Sequence, residues 1–158
     1  AKIPIGVVTG VVASTTLRVT LEGDGGHAGT VLMPERRDAL MAGAELALAV
    51  EQIAKHSGSA DAVATVGLFS VYPGASNSIP SRVQMTVDLR DTEMSVRDAM
   101  LDAVRHRSTE IATRRNIQIT IETFNSDPSC RSHPTITNAI QQAADHVGSH
   151  PAHQSGLS

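Results

Sequence analysis

An α+β fold, one antiparallel sheet with two helices on one face, is what the sequence predicts, and three observations carry it. Several segments alternate apolar and polar residues singly, as half-buried strands do. Two longer segments, one of them Ala-rich, read as helices between breaker residues. The segments come in the order strand, helix, strand, strand, helix, strand, which is the split βαβ or ferredoxin-like sandwich, βαββαβ.

Each element has its own signal. Ile5 to Val12 and Thr16 to Glu22 are rich in β-branched residues, and the second sets Leu17, Val19 and Leu21 against Arg18, Thr20 and Glu22. Glycines at 23, 25 and 26 end it. Pro34 precedes an Ala-rich helix from about Arg37 to Lys55, closed by Ser57-Gly58. Ala62 to Tyr72 is the second strand, and Pro73 to Pro80 is a turn. Val83, Met85, Val87 and Leu89 alternate through the third strand, which ends at Arg90-Asp91. Ser95 is the expected N-cap of a helix to about Arg114, and Ile117, Ile119 and Ile121 mark the fourth strand. Beyond Phe124, a loop from Asn125 to Cys130 leads to Pro134, suited to the first turn of a helix from about Thr135 to His146. That helix has no place in the four-stranded unit. The expected division is therefore residues 1–124 and residues 125–158.

Composition narrows the function classes. The chain has 158 residues, 41% hydrophobic, with one Tyr and two Phe, so its core is built from aliphatic side chains. Its net charge of -3 offers no basic excess to neutralise phosphates, which argues against nucleic acid as a partner. The lone Cys130 excludes a disulfide framework and suits a reducing, cytoplasmic setting. No apolar run approaches a membrane span, so no membrane partner is expected. The start at Ala1 and the stop at Ser158 read as cuts in a longer protein.

Three polar residues sit beside Gly or Pro at strand ends. His27 lies between Gly25-Gly26 and Gly29, where backbone can approach a ligand closely. Asn77 lies in the turn between Pro73 and Pro80, and Arg90 ends the third strand, where it can read a carboxylate bidentately. Singly, each has an ordinary explanation: a loop His, a turn Asn with local hydrogen bonds, an Arg paired with a neighbouring Asp.

Together they are more specific. GGHAGTVLMPERRDA, PGASNSIPS and VDLRD, in that order, closely resemble the lid or dimerisation domain of the aminoacylase and carboxypeptidase superfamily of metallo-amidohydrolases. The branch resembled is that of carbamoyl-amino-acid, allantoate and ureidoglycolate amidohydrolases. Thr30-Val-Leu-Met33 and Asn77-Ser-Ile-Pro-Ser81 look most like the ureidoglycolate enzymes. The resemblance implies hydrolysis of the C–N bond of a ureido or N-carbamoyl acid by a homodimer. It also implies roles: His27 stabilises the oxyanion, Asn77 hydrogen-bonds substrate carboxylate or amide, and Arg90 holds the substrate carboxylate. Two zinc or manganese ions and a general-base Glu are implied in a separate catalytic domain, with no ligand matched in this chain. The metal-binding segments are expected before Ala1 and after Ser158, so the chain alone is expected to be inactive. Two other readings stay open: a non-catalytic ferredoxin-like module for dimerisation or ligand binding, and a peptidase or aminoacylase of the same superfamily.

Topology adds a constraint that needs no family. In this fold the first two long strands run one way and the third runs back, so His27 and Asn77 share one edge. Arg90 finishes at the other, on the order of 25–30 Å away at ~3.4 Å per residue. The rest have plain expectations. His146, His150 and His153 are read as a frayed tail, since Gly148 and Pro151 interrupt any helix. Arg105, Arg107, Arg114 and Arg115 are read as a solvated basic patch, and Ala39, Ala42, Gly43, Ala44, Ala47 and Ala49 allow a helix to approach its sheet or a twin helix.

Overall fold

The computed structural model describes residues 6–149 and 152–156. The strands are β1 (Gly6–Val11), β2 (Ala13–Glu22), β3 (Gly26–His27), β4 (Val63–Tyr72), β5 (Ser78–Ile79), β6 (Arg82–Asp91), β7 (Gln118–Asp127), β8 (Cys130–Arg131) and β9 (Ala152–Gly156). The helices are α1 (Ala39–Lys55), α2 (Met94–Arg115) and α3 (Pro134–His146). The main sheet has the order β4-β6-β2-β7, every neighbouring pair antiparallel, with α1 and α2 packed on it. This is the expected ferredoxin-like sandwich.

Alternation fills its core. Leu17, Val19 and Leu21 of β2 and Val83, Met85, Val87 and Leu89 of β6 are fully buried on the helix side. They meet Leu46 and Val50 of α1 and Met100, Val104 and Ile111 of α2. Each such side chain contributes about 1.5–3 kcal/mol by leaving water. Gly43 lets α1 sit close: a Cβ there would lie 2.9 Å from the Phe69 ring. Ala39, Ala42 and Gly43 of the small-residue stripe are thus buried against their own sheet, while Ala44, Ala47 and Ala49 stay partly exposed. The opposite face carries polar and aromatic residues, with Arg82 over Tyr72 and Arg18 over Phe124.

Several local expectations are corrected. β2 begins at Ala13 rather than Thr16, and β1 leaves the main sheet to join β8 and β9 in a second one. Asn125 to Asp127 is strand, not loop: Phe124 bulges out of β7, and pairing resumes as Thr16 with Asn125, Thr15 with Ser126 and Ser14 with Asp127. Helix α1 starts at Ala39, because the Asp38 carboxylate accepts hydrogen bonds from the Leu40 and Met41 N–H groups. Helix α2 starts at Met94, with Glu93 rather than Ser95 as its N-cap, and the Asp91 carboxylate accepts from the Glu93 N–H.

The tail is not frayed where it is described. Residues 152–156 form β9, parallel to β1, although Pro134 does begin α3 as expected. His150 lies outside the described residues. The arginine patch is only partly solvated, since Arg114 and Arg115 both clasp Glu45 of α1 and tie the two helices together.

Candidate functional site

The register settles where the three singled-out residues lie. Glu22 pairs with Arg82 and Tyr72 pairs with Arg82, so β2 and β4 finish at the end where β6 starts. His27 and Asn77 lie beyond that end. Arg90 pairs with Ser14 and Val63 at the other, eight residues along β6 from Arg82, or roughly 27 Å at 3.4 Å per residue. One chain brings His27 to Asn77 and keeps Arg90 apart from both.

At the first end, backbone does the holding. β3 pairs with β5, placing His27 opposite Ser78, and the Ala28 N–H donates to the Asn77 carbonyl at 2.8 Å. Gly25 makes the entry to β3 possible: its φ is +66°, and a Cβ there would lie 2.9 Å from the Ser81 Cβ. The imidazole of His27 is exposed, and its Nδ1 accepts from the Gly29 N–H at 3.1 Å. In the neutral ring the proton therefore sits on Nε2, which makes that nitrogen an outward donor. Arg36 secures the loop from below, donating from Nη2 to the Ala28 carbonyl at 2.6 Å and from Nε to the Val31 carbonyl at 3.0 Å. Asn77 is also exposed.

At the other end, side chains do the holding. Arg90 is half-buried on the open face and donates from Nε to Asp88 Oδ1 at 2.6 Å and from Nη2 to Oδ2 at 3.4 Å. The hydrogen bond and the charge of Asp88 raise the guanidinium pKa above its ordinary value, against a smaller opposing effect of burial. Asp91, the sequence neighbour, lies on the other face, fully buried. Its Oδ1 serves the start of α2, and its Oδ2 has no partner among the described residues. Beneath, Arg97 is 4% exposed, and its Nη1 lies within hydrogen-bond reach of Ser14 O, Thr15 Oγ1, Ser126 Oγ and Asp127 O. It clasps β2 where it enters the sheet to β7 where it leaves.

Sequence reasoning missed Arg36, Arg97 and Thr16. Arg36 acts on backbone carbonyls, which no residue-type pattern marks, and Arg97 acts on carbonyls and hydroxyls of strands distant in sequence. Asp88 was visible, since strand alternation puts residues two apart on one face. Among the described residues no group of three or more His, Cys, Asp or Glu side chains could hold a metal ion. These residues therefore do not fit the two ions that the resemblance implies. No helix among them is long and apolar enough to cross a membrane.

Comparison with known proteins places the chain. No protein-family model matches it. Ureidoglycolate hydrolase of Oryza sativa subsp. japonica is 43% identical over 143 residues, covering 90% of this chain and 30% of that protein. N-carbamoyl-L-amino acid amidohydrolase of Geobacillus stearothermophilus is 34% identical over 151 residues, covering 96% of this chain and 36% of that one. A solved structure of AtUAH in complex with glyoxylate superposes with a TM-score of 0.95 at 38% identity, covering 99% of this chain and 37% of that one. The chain spans about a third of the length of the curated relatives it matches. The matched segment holds the HAGT loop, the Asn77 turn and the Asp88–Arg90 pair in one fold. By sequence and by fold, the homologues of this chain, matched over about nine-tenths of its length, are ureidoglycolate, allantoate and N-carbamoyl-amino-acid amidohydrolases.

Proposed function

We propose that the chain is the lid and dimerisation part of a metal-dependent amidohydrolase that cleaves the C–N bond of a ureido or N-carbamoyl acid, with the segment beyond β7 returning to its catalytic domain. The observation that carries this reading is the pairing of His27 with Asn77 at one end of the sheet and the isolation of Arg90 at the other. His27 donates from Nε2 to the oxyanion that forms at the attacked carbonyl. Asn77, bound to the same loop, hydrogen-bonds the substrate's carboxylate or amide. Arg90 takes the substrate carboxylate through charge-assisted hydrogen bonds. The zinc or manganese ions belong to residues outside those described, and no step is assigned to them on this chain.

About 25–30 Å of sheet separates the two groups, too far for one small substrate to touch both. The reading therefore needs two chains: Arg90 serves the site of its own subunit, and His27 and Asn77 complete the site of the partner in a homodimer. The test uses the full-length enzyme with ureidoglycolate, allantoate and an N-carbamoyl amino acid, following ammonia release. His27→Ala and Arg90→Ala homodimers lose activity. Mixed dimers of the two regain about half of it, because one of their two sites is intact. Turnover of none of these substrates overturns the assigned chemistry, and turnover without recovery in mixed dimers overturns the composite site.

A further inference from the structure

Arg90 can select a carboxylate only if its guanidinium is held in one plane, and the structure shows what holds it. Successive residues of a strand face opposite sides, so Asp88 and Arg90 share the open face of the sheet. Thr16 of β2 lies opposite Asp88 in register, on the same face. The Thr16 hydroxyl donates to Asp88 Oδ2 at 3.3 Å. Asp88 in turn accepts from Arg90 Nε at Oδ1 and from Nη2 at Oδ2, so it takes one edge of the guanidinium. Two bonds along one edge define a plane, whereas a single point contact would leave the group free to turn. Thr is stiff at χ1, which makes its hydroxyl a fixed reference for the carboxylate rotamer.

We propose that Asp88 and Thr16 are positioning residues for carboxylate recognition: Asp88 sets the plane of the Arg90 guanidinium, and Thr16 sets Asp88. The proposal rests on the reading of Arg90 given under Proposed function and deepens it. An exposed ion pair with no such task gains little from being held. Here both partners are about one-third exposed, and the third group comes from the neighbouring strand in register. The sheet, rather than chance proximity, builds the arrangement.

The test measures KM and kcat of the full-length enzyme on an N-carbamoyl amino acid and on the same compound with its carboxylate converted to a primary amide. Arg90→Gln raises KM for the acid about 100-fold and leaves KM for the amide almost unchanged. Asp88→Asn raises KM for the acid about tenfold, and Thr16→Val about threefold, with kcat nearly constant in both. Thr16→Ser restores the wild-type value, and the double variant of Asp88→Asn with Thr16→Val is no worse than Asp88→Asn alone. An unchanged KM in Asp88→Asn and Thr16→Val, beside a raised one in Arg90→Gln, overturns the positioning role and leaves Arg90 in place. An unchanged KM in Arg90→Gln overturns the reading of Arg90 itself. Additive effects in the double variant overturn the dependence of Thr16 on Asp88. Thr16 lies on the open face outside the core, so Thr16→Val keeps the test decisive should Asp88→Asn fold poorly.

Discussion

At the end of the sheet where β2 and β4 finish, His27 on a two-residue strand and Asn77 in the turn beside its partner strand are joined mainly through backbone hydrogen bonds. At the end where β6 finishes, Arg90 is held by the side chain of Asp88, itself held by Thr16, above a buried arginine that clasps two strands. The first end presents exposed donors on a loop locked by Gly25 and Arg36. The second presents a cation whose direction depends on its neighbours. A donor aimed at developing charge needs reach and a fixed tautomer, which backbone supplies. A cation that reads a planar carboxylate needs a fixed plane, which at this end the Asp88 side chain supplies.

This contrast can be broken at either end. The largest effect is expected from His27→Ala in the full-length enzyme: kcat falls about 10²–10³-fold with the fold intact, since the ring is exposed. A kcat within about threefold of wild type, where loss of an oxyanion donor costs far more, would remove the catalytic half of the comparison. Next comes Arg97→Met, which strips partners from the Ser14 and Asp127 carbonyls. Urea unfolding should show a loss of about 3 kcal/mol, with faster amide exchange at residues 14–15 and 126–127 than in β4. Loss of less than about 1 kcal/mol would mean that this end is not specially clasped.

Arg36→Met should cost less, about 1–2 kcal/mol, because water reaches much of the loop it holds. Its signature is local: exchange quickens at residues 27–31 while α1 and β6 stay protected. The smallest effect concerns the helices that back both ends. The hydrogen bond from Arg115 holds the Glu45 carboxyl below its usual pKa, opposed by partial burial and aided by Arg114. A lowered folded-state value means that the stabilisation is complete above the unfolded pKa and is lost as pH falls through the folded one. Glu45→Gln should therefore remove about 1 kcal/mol at neutral pH and flatten the acid limb of the stability curve. An unaltered acid limb would show that the helix pair does not depend on this ion pair.

Much of this was legible in residue order. Alternation in β2 and β6 marked the buried faces, and the relation of His27 and Asn77 to Arg90 followed from strand direction alone. Extension of β7 through Asp127 was not legible, because Asn125-Ser-Asp-Pro carries turn composition while its pairing comes from Ser14 to Thr16, more than a hundred residues away. Met94 as the first residue of α2 was hidden for a similar reason: the group that serves the helix start is Asp91, on the preceding strand. The likeness to amidohydrolases was carried by short motifs at strand ends: the HAGT loop, the Asn77 turn and the Asp88–Arg90 pair.

By itself the sequence determined the α+β sandwich, its buried stripes and the separation of the two candidate ends, because period-2 patterning and strand order are local properties of the chain. Only the tertiary structure decided that Thr16 stands behind Asp88 and that Arg97 joins β2 to β7. Those contacts depend on register between strands distant in sequence. A shift of one residue would turn every side chain of a strand to the other face, so no reading of the chain alone contains them.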